Sequence, residues 1–208
     1  MSITIKACPV CEGKAFKLKF ICRDYSVSSE EFKIVSCETC GFVLTNPRPE
    51  RNNIGRYYKS ENYISHTNNK KGLFNFLYQT IRKYTIERKV QMIKKFDAKN
   101  LLDIGCGTGE FLNKAKSQGI SVEGIEPSEK ARKQCKQNYN LNINESADME
   151  AYDDNKFDCI TMWHVLEHMP DLNTLIESIY TKTSPNGKII IGVPNYESWD
   201  AKYYKKYW

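Results

Sequence analysis

From Asn100 onward, apolar residues fall in short blocks separated by polar, helix-forming stretches. Asn100 to Ile104 (NLLDI), Ser121 to Ile125 (SVEGI), Phe157 to Trp163 (FDCITMW) and Lys188 to Val193 (KIIIGV) read as strands, and Leu141 to Ile143 as a weaker one. Between them, Glu110 to Gln118, Ser128 to Tyr139 and Leu172 to Thr181 read as helices, with Ser128 placed to cap the second. Strand and helix in strict alternation predict an α/β fold, a parallel sheet with helices on both faces.

Upstream the pattern changes twice. Residues 1–46 carry short β-like alternations such as FKLKF and FKIVS, and Pro47-Arg48-Pro49 ends that zone. A helical stretch follows, GLFNFLYQTIRKYTIERKVQMIKKF, with Leu73, Leu77, Ile81 and Tyr84 on one face and Arg82, Lys83, Lys89, Lys94 and Lys95 around it. A basic amphipathic helix lies on a membrane or packs on its own domain; packing is the expectation here. The chain therefore divides into a small module (1–46), a helical connector (47–98) and an α/β core (99–208). No internal repeat or low-complexity segment interrupts it.

Composition narrows the class. The 208 residues are 40% hydrophobic and 27% charged, with a net charge of +6, as in a soluble globular protein with a lysine-rich surface. No window reaches 18 consecutive apolar residues, so no membrane span is predicted. The start, MSITIKACPVC, lacks the charged and apolar regions of a signal peptide. Of eight cysteines, Cys22, Cys106, Cys135 and Cys159 stand alone, which fits a reducing compartment, the cytoplasm. The other four form two CxxC pairs, Cys8/Cys11 and Cys37/Cys40, 25 residues apart. A redox dithiol needs one such pair; two fit a tetrahedral four-cysteine zinc site, as in a zinc ribbon. Gly13 and Gly41 stand where those knuckle turns tighten. In so small a module the metal would supply much of the folding free energy.

The candidate chemistry of the core begins at LLDIGCGTGEF, where Gly105, Gly107 and Gly109 follow the first strand and open a helix. A dinucleotide fingerprint begun at Gly105 requires glycine at position 110, where this chain has Glu110, and no lysine–hydroxyl pair completes a P-loop. The Glu110 carboxylate would also repel a pyrophosphate. Glu126 ends the second strand 21 positions after Gly105, where α/β nucleotide sites place the acid that accepts from ribose hydroxyls. Together these describe a nucleoside site without a phosphate requirement.

At these residues the sequence resembles the class I S-adenosylmethionine-dependent methyltransferases. Leu102 to Gly109 (LDIGCGTG) is similar to their first motif, Glu126 to their second-strand acid, and Phe157 to Asp171 (FDCITMWHVLEHMPD) with Gly187 to Asn195 (GKIIIGVPN) to their fourth- and fifth-strand pattern. The resemblance spans residues 100–195 and implies a Rossmann-like methyltransferase sheet with S-adenosylmethionine as cofactor and S-adenosylhomocysteine as product. It implies that Asp103 and the loop Gly105, Cys106, Gly107, Thr108 and Gly109 surround the methionine moiety. Glu126 then holds the ribose, with Pro127 beside the adenine. Ala147 and Asp148, in the stretch Ser146 to Met149, follow the third strand toward the adenine, and Trp163 and His164 sit beneath the methyl group. Tyr57, Tyr58 and Tyr63 either cover the site or pack at an interface. Such folds carry two further strands beyond the VPN segment, so the resemblance implies a core truncated after five candidate strands, with an exposed edge.

His164-Val-Leu-Glu167-His168 spells the H-x-x-E-H string of inverted zinc peptidases, which needs both histidines on one helix. Here the string starts where a strand ends and meets Met169-Pro170, a segment too short and wrongly placed for that chemistry. Ubiquinone-type O-methyltransferases have an acidic and histidine cluster in a similar place, with His164 replacing its first acid. His164 or His168 can instead deprotonate a hydroxyl acceptor, or the turn only shapes the site. For the acceptor, some ribosomal-RNA methyltransferases carry a cysteine-rich zinc module, making an RNA methyltransferase or RNA-binding module one reading. The module, however, balances Lys14, Lys17, Lys19, Arg23 and Lys33 against Glu12, Asp24, Glu30, Glu31 and Glu38. Its layout, CPVC, CETCGFVLTNPRP and RYY before the core, also resembles sugar-modifying methyltransferases with zinc-binding N-termini. A small-molecule or glycan-precursor acceptor is the expectation, with RNA the alternative partner.

Overall fold

The computed structural model describes residues 2–25, 27–58, 73–145 and 149–207, the side chains of residues 58, 73–75 and 206 excepted. The chain forms two compact units, Met1–Asn68 with Asn195–Trp208, and Asn69–Pro194.

In the first unit, β1 (Ser2–Ile3) pairs antiparallel with β5 (Arg48–Pro49), and β2 (Phe16–Arg23), β3 (Glu31–Cys37) and β4 (Val43–Thr45) form an antiparallel meander. A single turn of helix, α1 (Arg51–Ile54), follows β5. Late in the chain, α6 (Trp199–Tyr204) rejoins this unit. Ser198 caps it by accepting from Ala201 N, and the turn after it lays Tyr207 against Tyr25 at 5.7 Å between ring centroids.

The second unit opens with α2 (Leu73–Lys94) and continues β6 (Asn100–Ile104), α3 (Glu110–Ser117), β7 (Ser121–Ile125), α4 (Glu129–Tyr139), β8 (Phe157–Trp163), α5 (Leu172–Lys182) and β9 (Thr183–Gly192). Its four strands are all parallel, in the order β7-β6-β8-β9. Alternate residues of the buried strands face opposite layers. Leu101 and Cys159 meet Val90 and Ile93 of α2, Leu112 of α3 and Cys135 of α4, whereas Leu102, Ile104, Ile160 and Met162 meet Leu175 and Ile179 of α5. A sheet covered on both faces gives strands apolar almost throughout, as in NLLDI and FDCITMW.

Two expectations need correction. Leu141 to Ile143 is not a strand: among the described residues this stretch touches the sheet edge only at Asn144, whose N–H donates to Gly124 O at 2.9 Å and whose carbonyl accepts from Glu126 N at 2.9 Å. The apolar face of α2 is also different. Leu77, Ile81 and Tyr84 are exposed, and Leu73 lies among the undescribed side chains. The buried stripe is Ile86, Val90 and Ile93, because only the second half of this 22-residue helix lies over the sheet.

Candidate active site

The topology itself makes a crevice. β7 lies to one side of β6 and β8 to the other, so the connections leaving β6 and β8 diverge and open a gap above the carboxyl ends of both strands. Asp103 and Thr161 stand there in register across the pair, and the Thr161 hydroxyl donates to Asp103 Oδ1 at 2.6 Å. Asp103 is 2% exposed. Burial pushes its carboxyl up to about 7, opposed by the Thr161 hydrogen bond and the positive charge of Lys89, with the Glu126 charge adding to the rise.

The glycine loop follows directly. Gly105, Gly107 and Gly109 all have positive φ, and a side chain at 105 would overlap Val165 Cγ2, so a β-carbon is excluded on two counts. The loop folds onto the end of β7: Gly105 N and Cys106 N both donate to Ile125 O, at 2.7 and 3.0 Å, and Gly107 N donates to Glu126 Oε2 at 2.9 Å. Gly109 N turns back to Cys106 O at 3.1 Å, and Cys135 Sγ lies 3.2 Å from Gly107 O. These four amides are engaged within the protein, whereas a phosphate cradle presents such amides to its ligand. Glu126 is 8% exposed, and its second oxygen, Oε1, accepts from Ser128 N at 2.9 Å. Each carboxylate oxygen keeps a lone pair for a ligand hydroxyl.

A pocket of about 360 Å³ opens beside the loop, between α2 and the carboxyl ends of β6 and β8. It is lined by Asp103, Gly105, Cys106, Glu110 and Phe111 from the first strand and its loop, by Trp163 at the end of β8, and by Tyr78, Arg82, Thr85 and Lys89 from α2. Arg82 Nη2 pairs with Glu110 Oε2 at 2.7 Å, and the Thr108 hydroxyl donates to the same oxygen at 2.8 Å. Lys89 is half-buried with Nζ 4.0 Å from the centroid of the Trp163 ring.

Past β8, His164 adopts a left-handed backbone (φ 57°), with its N–H donating to Gly192 O at 2.8 Å. Leu166–His168 forms one 3₁₀ turn. Glu167 Oε1 lies between the imidazoles, 3.7 Å from His164 Nδ1 and 3.9 Å from His168 Nε2. Burial lowers the pKa of His168, opposed by the negative charge of Glu167. Pro127 is exposed at the end of β7, its carbonyl accepting from Arg132 Nη1 at 2.7 Å. Ala147 and Asp148 lie outside the described residues, as do Tyr63 and the side chain of Tyr58. Tyr57 belongs to the first unit, donating to Glu30 Oε2 at 2.6 Å and packing edge-on against Phe32.

The family model described as a methyltransferase domain matches residues 78–208, well over half of the chain. The chain belongs to that family. Among curated proteins it is 30% identical over 125 residues to a ubiquinone biosynthesis O-methyltransferase of Coxiella burnetii, covering 57% of this chain and 52% of that one. It is 33% identical over 99 residues to a demethylmenaquinone methyltransferase of Oceanobacillus iheyensis, covering 43% and 42%. The chain thus spans about half the length of these methyltransferases. Among solved structures, a SAM-dependent methyltransferase from Archaeoglobus fulgidus is 28% identical with a TM-score of 0.49, over 60% of this chain and 59% of that one. The StiE O-MT domain, at 19% identity and a TM-score of 0.50 over 58% and 47%, shares the fold. The methyltransferase fold is therefore Rossmann-like.

Several residues around the crevice were not singled out from the sequence as site residues: Thr161, Val165, Arg82, Lys89 and Glu110. One signal was present. Tyr78, Arg82, Thr85 and Lys89 recur at i, i+4, i+7 and i+11, a polar stripe on one helix face.

In the first unit, the two knuckles bring Cys8, Cys11, Cys37 and Cys40 together, all four Sγ atoms within 4.8 Å of one another. Cys8 Sγ is 3.6 Å from Cys40 Sγ, and Cys11 Sγ 3.6 Å from Cys37 Sγ. Gly41 N donates to Cys37 O at 2.9 Å with φ +76°, the expected tight turn. In the other knuckle the left-handed residue is Glu12 (φ 59°) rather than Gly13. Gly13 is needed for proximity instead: a β-carbon there would meet Thr39 Oγ1 at 2.6 Å. No helix among the described residues is long and apolar enough to cross a membrane.

Proposed function

We propose that this chain binds S-adenosylmethionine in the crevice and transfers its methyl group to a small-molecule or glycan-precursor acceptor, releasing S-adenosylhomocysteine. The observation that carries the reading is the glycine loop closed onto Glu126, with its amides engaged internally and the acid's free lone pairs left for ribose hydroxyls. When bound, the sulfonium supplies an already activated methyl group, so the protein's task is alignment and exclusion of water. Asp103 and the loop from Gly105 through Cys106, Gly107 and Thr108 to Gly109 take the amino-acid end. Pro127, with Ala147 and Asp148, takes the adenine, and Trp163 and His164 lie under the reacting carbon. His164 or His168 would accept the proton of a hydroxyl acceptor. The name of the ubiquinone-biosynthesis relative, an O-methyltransferase, favours an oxygen acceptor.

In the first unit, Cys8, Cys11, Cys37 and Cys40 would hold a structural zinc ion. Four thiolates about 2.3 Å from a tetrahedral centre lie about 3.8 Å from one another, close to the 3.6 Å of the two sulfur pairs. An RNA acceptor has one observation in its favour. The C-terminal segment adds Trp199 and Tyr203, stacked at 5.2 Å, to a module surface that already exposes Arg23 and Tyr25, and such rings beside cations suit single strands.

Incubation with methyl-deuterated S-adenosylmethionine and either catechol and sugar-nucleotide acceptors or bulk RNA tests the proposal by mass spectrometry. Label on a small molecule, lost about tenfold or more in Glu126→Ala, is the expected result. Label on RNA alone moves the acceptor to the second reading. S-adenosylhomocysteine failing to bind the folded protein contradicts both.

A further inference from the structure

The first half of α2 carries an apolar stripe that the core beneath the helix does not use. Ile86, Val90 and Ile93 face the sheet. Leu77, Ile81 and Tyr84 lie on the opposite side of the same helix, with Phe76 at the stripe's edge, and each of the four is more than half exposed. A contiguous row of large apolar side chains in water marks a docking surface. Charge identifies the chemistry of the partner. From Leu73 to Lys94 the helix carries Arg82, Lys83, Arg88, Lys89 and Lys94 against a single acid, Glu87. Glu87 is already engaged by Lys114 of α3 at 2.7 Å, and Arg82 by Glu110 at 2.7 Å. Lys83 borders the stripe, and Arg88 follows one turn after Tyr84, its guanidinium 5.8 Å from the centroid of that ring. Among the described residues neither Lys83 nor Arg88 enters a salt bridge.

Two copies pressed together through this face would set cations against cations with no free acid to meet them. A nucleic acid stacks its bases on rings, whereas Leu77 and Ile81 hold half of the stripe and offer no π-face. An anionic lipid surface matches both parts of the pattern. Acyl chains cover Phe76, Leu77 and Ile81, the long stems of Lys83 and Arg88 carry their charges back to headgroup phosphates, and the Tyr84 ring settles at headgroup level. We infer that the first half of α2 docks the second unit on an anionic bilayer surface. The helix lies in the plane of that surface rather than crossing it, because its run of charges is too dense for a span. This surface is separate from the methyl-transfer reading and does not rest on it.

The test is co-sedimentation of the full chain with two kinds of vesicle, phosphatidylcholine alone and an equimolar mixture of phosphatidylcholine and phosphatidylglycerol. The parent should bind the mixed vesicles about tenfold or more tightly than the neutral ones. Phe76→Ser combined with Leu77→Ser should weaken that binding about tenfold or more. Lys83→Gln combined with Arg88→Gln should remove most of the preference for the anionic vesicles. Tyr180→Ser, which removes an exposed ring from α5, should leave binding within about twofold. A parent that stays in the supernatant with both vesicles, or a Phe76/Leu77 variant that binds as well as the parent, overturns the inference. So does a parent that is dimeric in analytical ultracentrifugation and becomes monomeric in that variant, which would give the face to a second copy. An unchanged circular dichroism spectrum separates lost docking from lost folding. Vesicle binding requires no cofactor, so failure here leaves the methyl-transfer reading standing.

Discussion

Asp103 is held in a state that costs the folded protein stability. Its carboxyl has no ion-pair partner among the described residues and one hydroxyl donor, and burial raises it from an ordinary value near 3.8 to about 7. An acid whose folded pKa lies above its unfolded one binds more protons in the folded state between those two values. Stability therefore falls as pH rises from about 4 through about 7. Asparagine at this position keeps the shape and can still accept from Thr161, but carries no charge to desolvate. Asp103→Asn is predicted to be more stable than the parent at pH 8 by roughly 1–4 kcal/mol. That advantage should shrink as the pH is lowered toward 5, and the variant should bind S-adenosylhomocysteine more weakly. Urea unfolding at the two pH values measures the first effect; an advantage that grows on acidification would show that the sign is wrong. The glycines are the opposite case, residues whose role follows from backbone alone. Gly105 combines φ +76° with Val165 against its missing side chain, and the Gly-x-Gly-x-Gly spacing announces such a loop before any coordinate is known.

At the scale of elements, α2 shows where sequence reading succeeds and where it stops. Its helical character follows from the run itself, but two apolar stripes compete along 22 residues, and periodicity cannot say which half lies over the sheet. The stripe through Leu77 and Ile81 is more conspicuous in sequence, yet Val90 and Ile93 are the residues with no exposure. The packing predicts the energetics. Ile93→Ala should cost about 2–5 kcal/mol, as large-to-small changes in cores do, while Ile81→Ala should change stability by less than about 0.5 kcal/mol. Chemical denaturation of the two variants checks the contrast, and equal losses would return the burial to the first stripe. The strands were easier to read, because a strand buried on both faces has no alternation to misassign. Leu141 to Ile143 failed for lack of a partner: among the described residues this stretch makes one bridge to the edge of β7, at Asn144. The site was legible where chain-local motifs carry it, in Asp103 to Gly109 and Glu126. It was illegible where tertiary packing carries it, as when Lys89 meets Trp163 across 74 positions.

For the whole molecule, two units with different sources of stability share one chain. The second has a core on each face of its sheet. Among the described residues, the first buries the apolar side chains of Cys8, Val35, Cys37 and Ala201 alone. Its cohesion is expected to come from a metal at the four cysteines. Stripping zinc with a strong chelator, or Cys37→Ser, is predicted to abolish the amide-exchange protection of β2 and β3; protection unchanged after verified removal of all metal would contradict that account. The central claim concerns the other unit, that the loop and Glu126 form a nucleoside site. Titrating the purified chain with S-adenosylhomocysteine, beside Glu126→Ala, tests it most directly. Saturable binding weakened about tenfold or more by the substitution is the predicted result. Equal affinity in both proteins, or no binding by the folded parent, would contradict it.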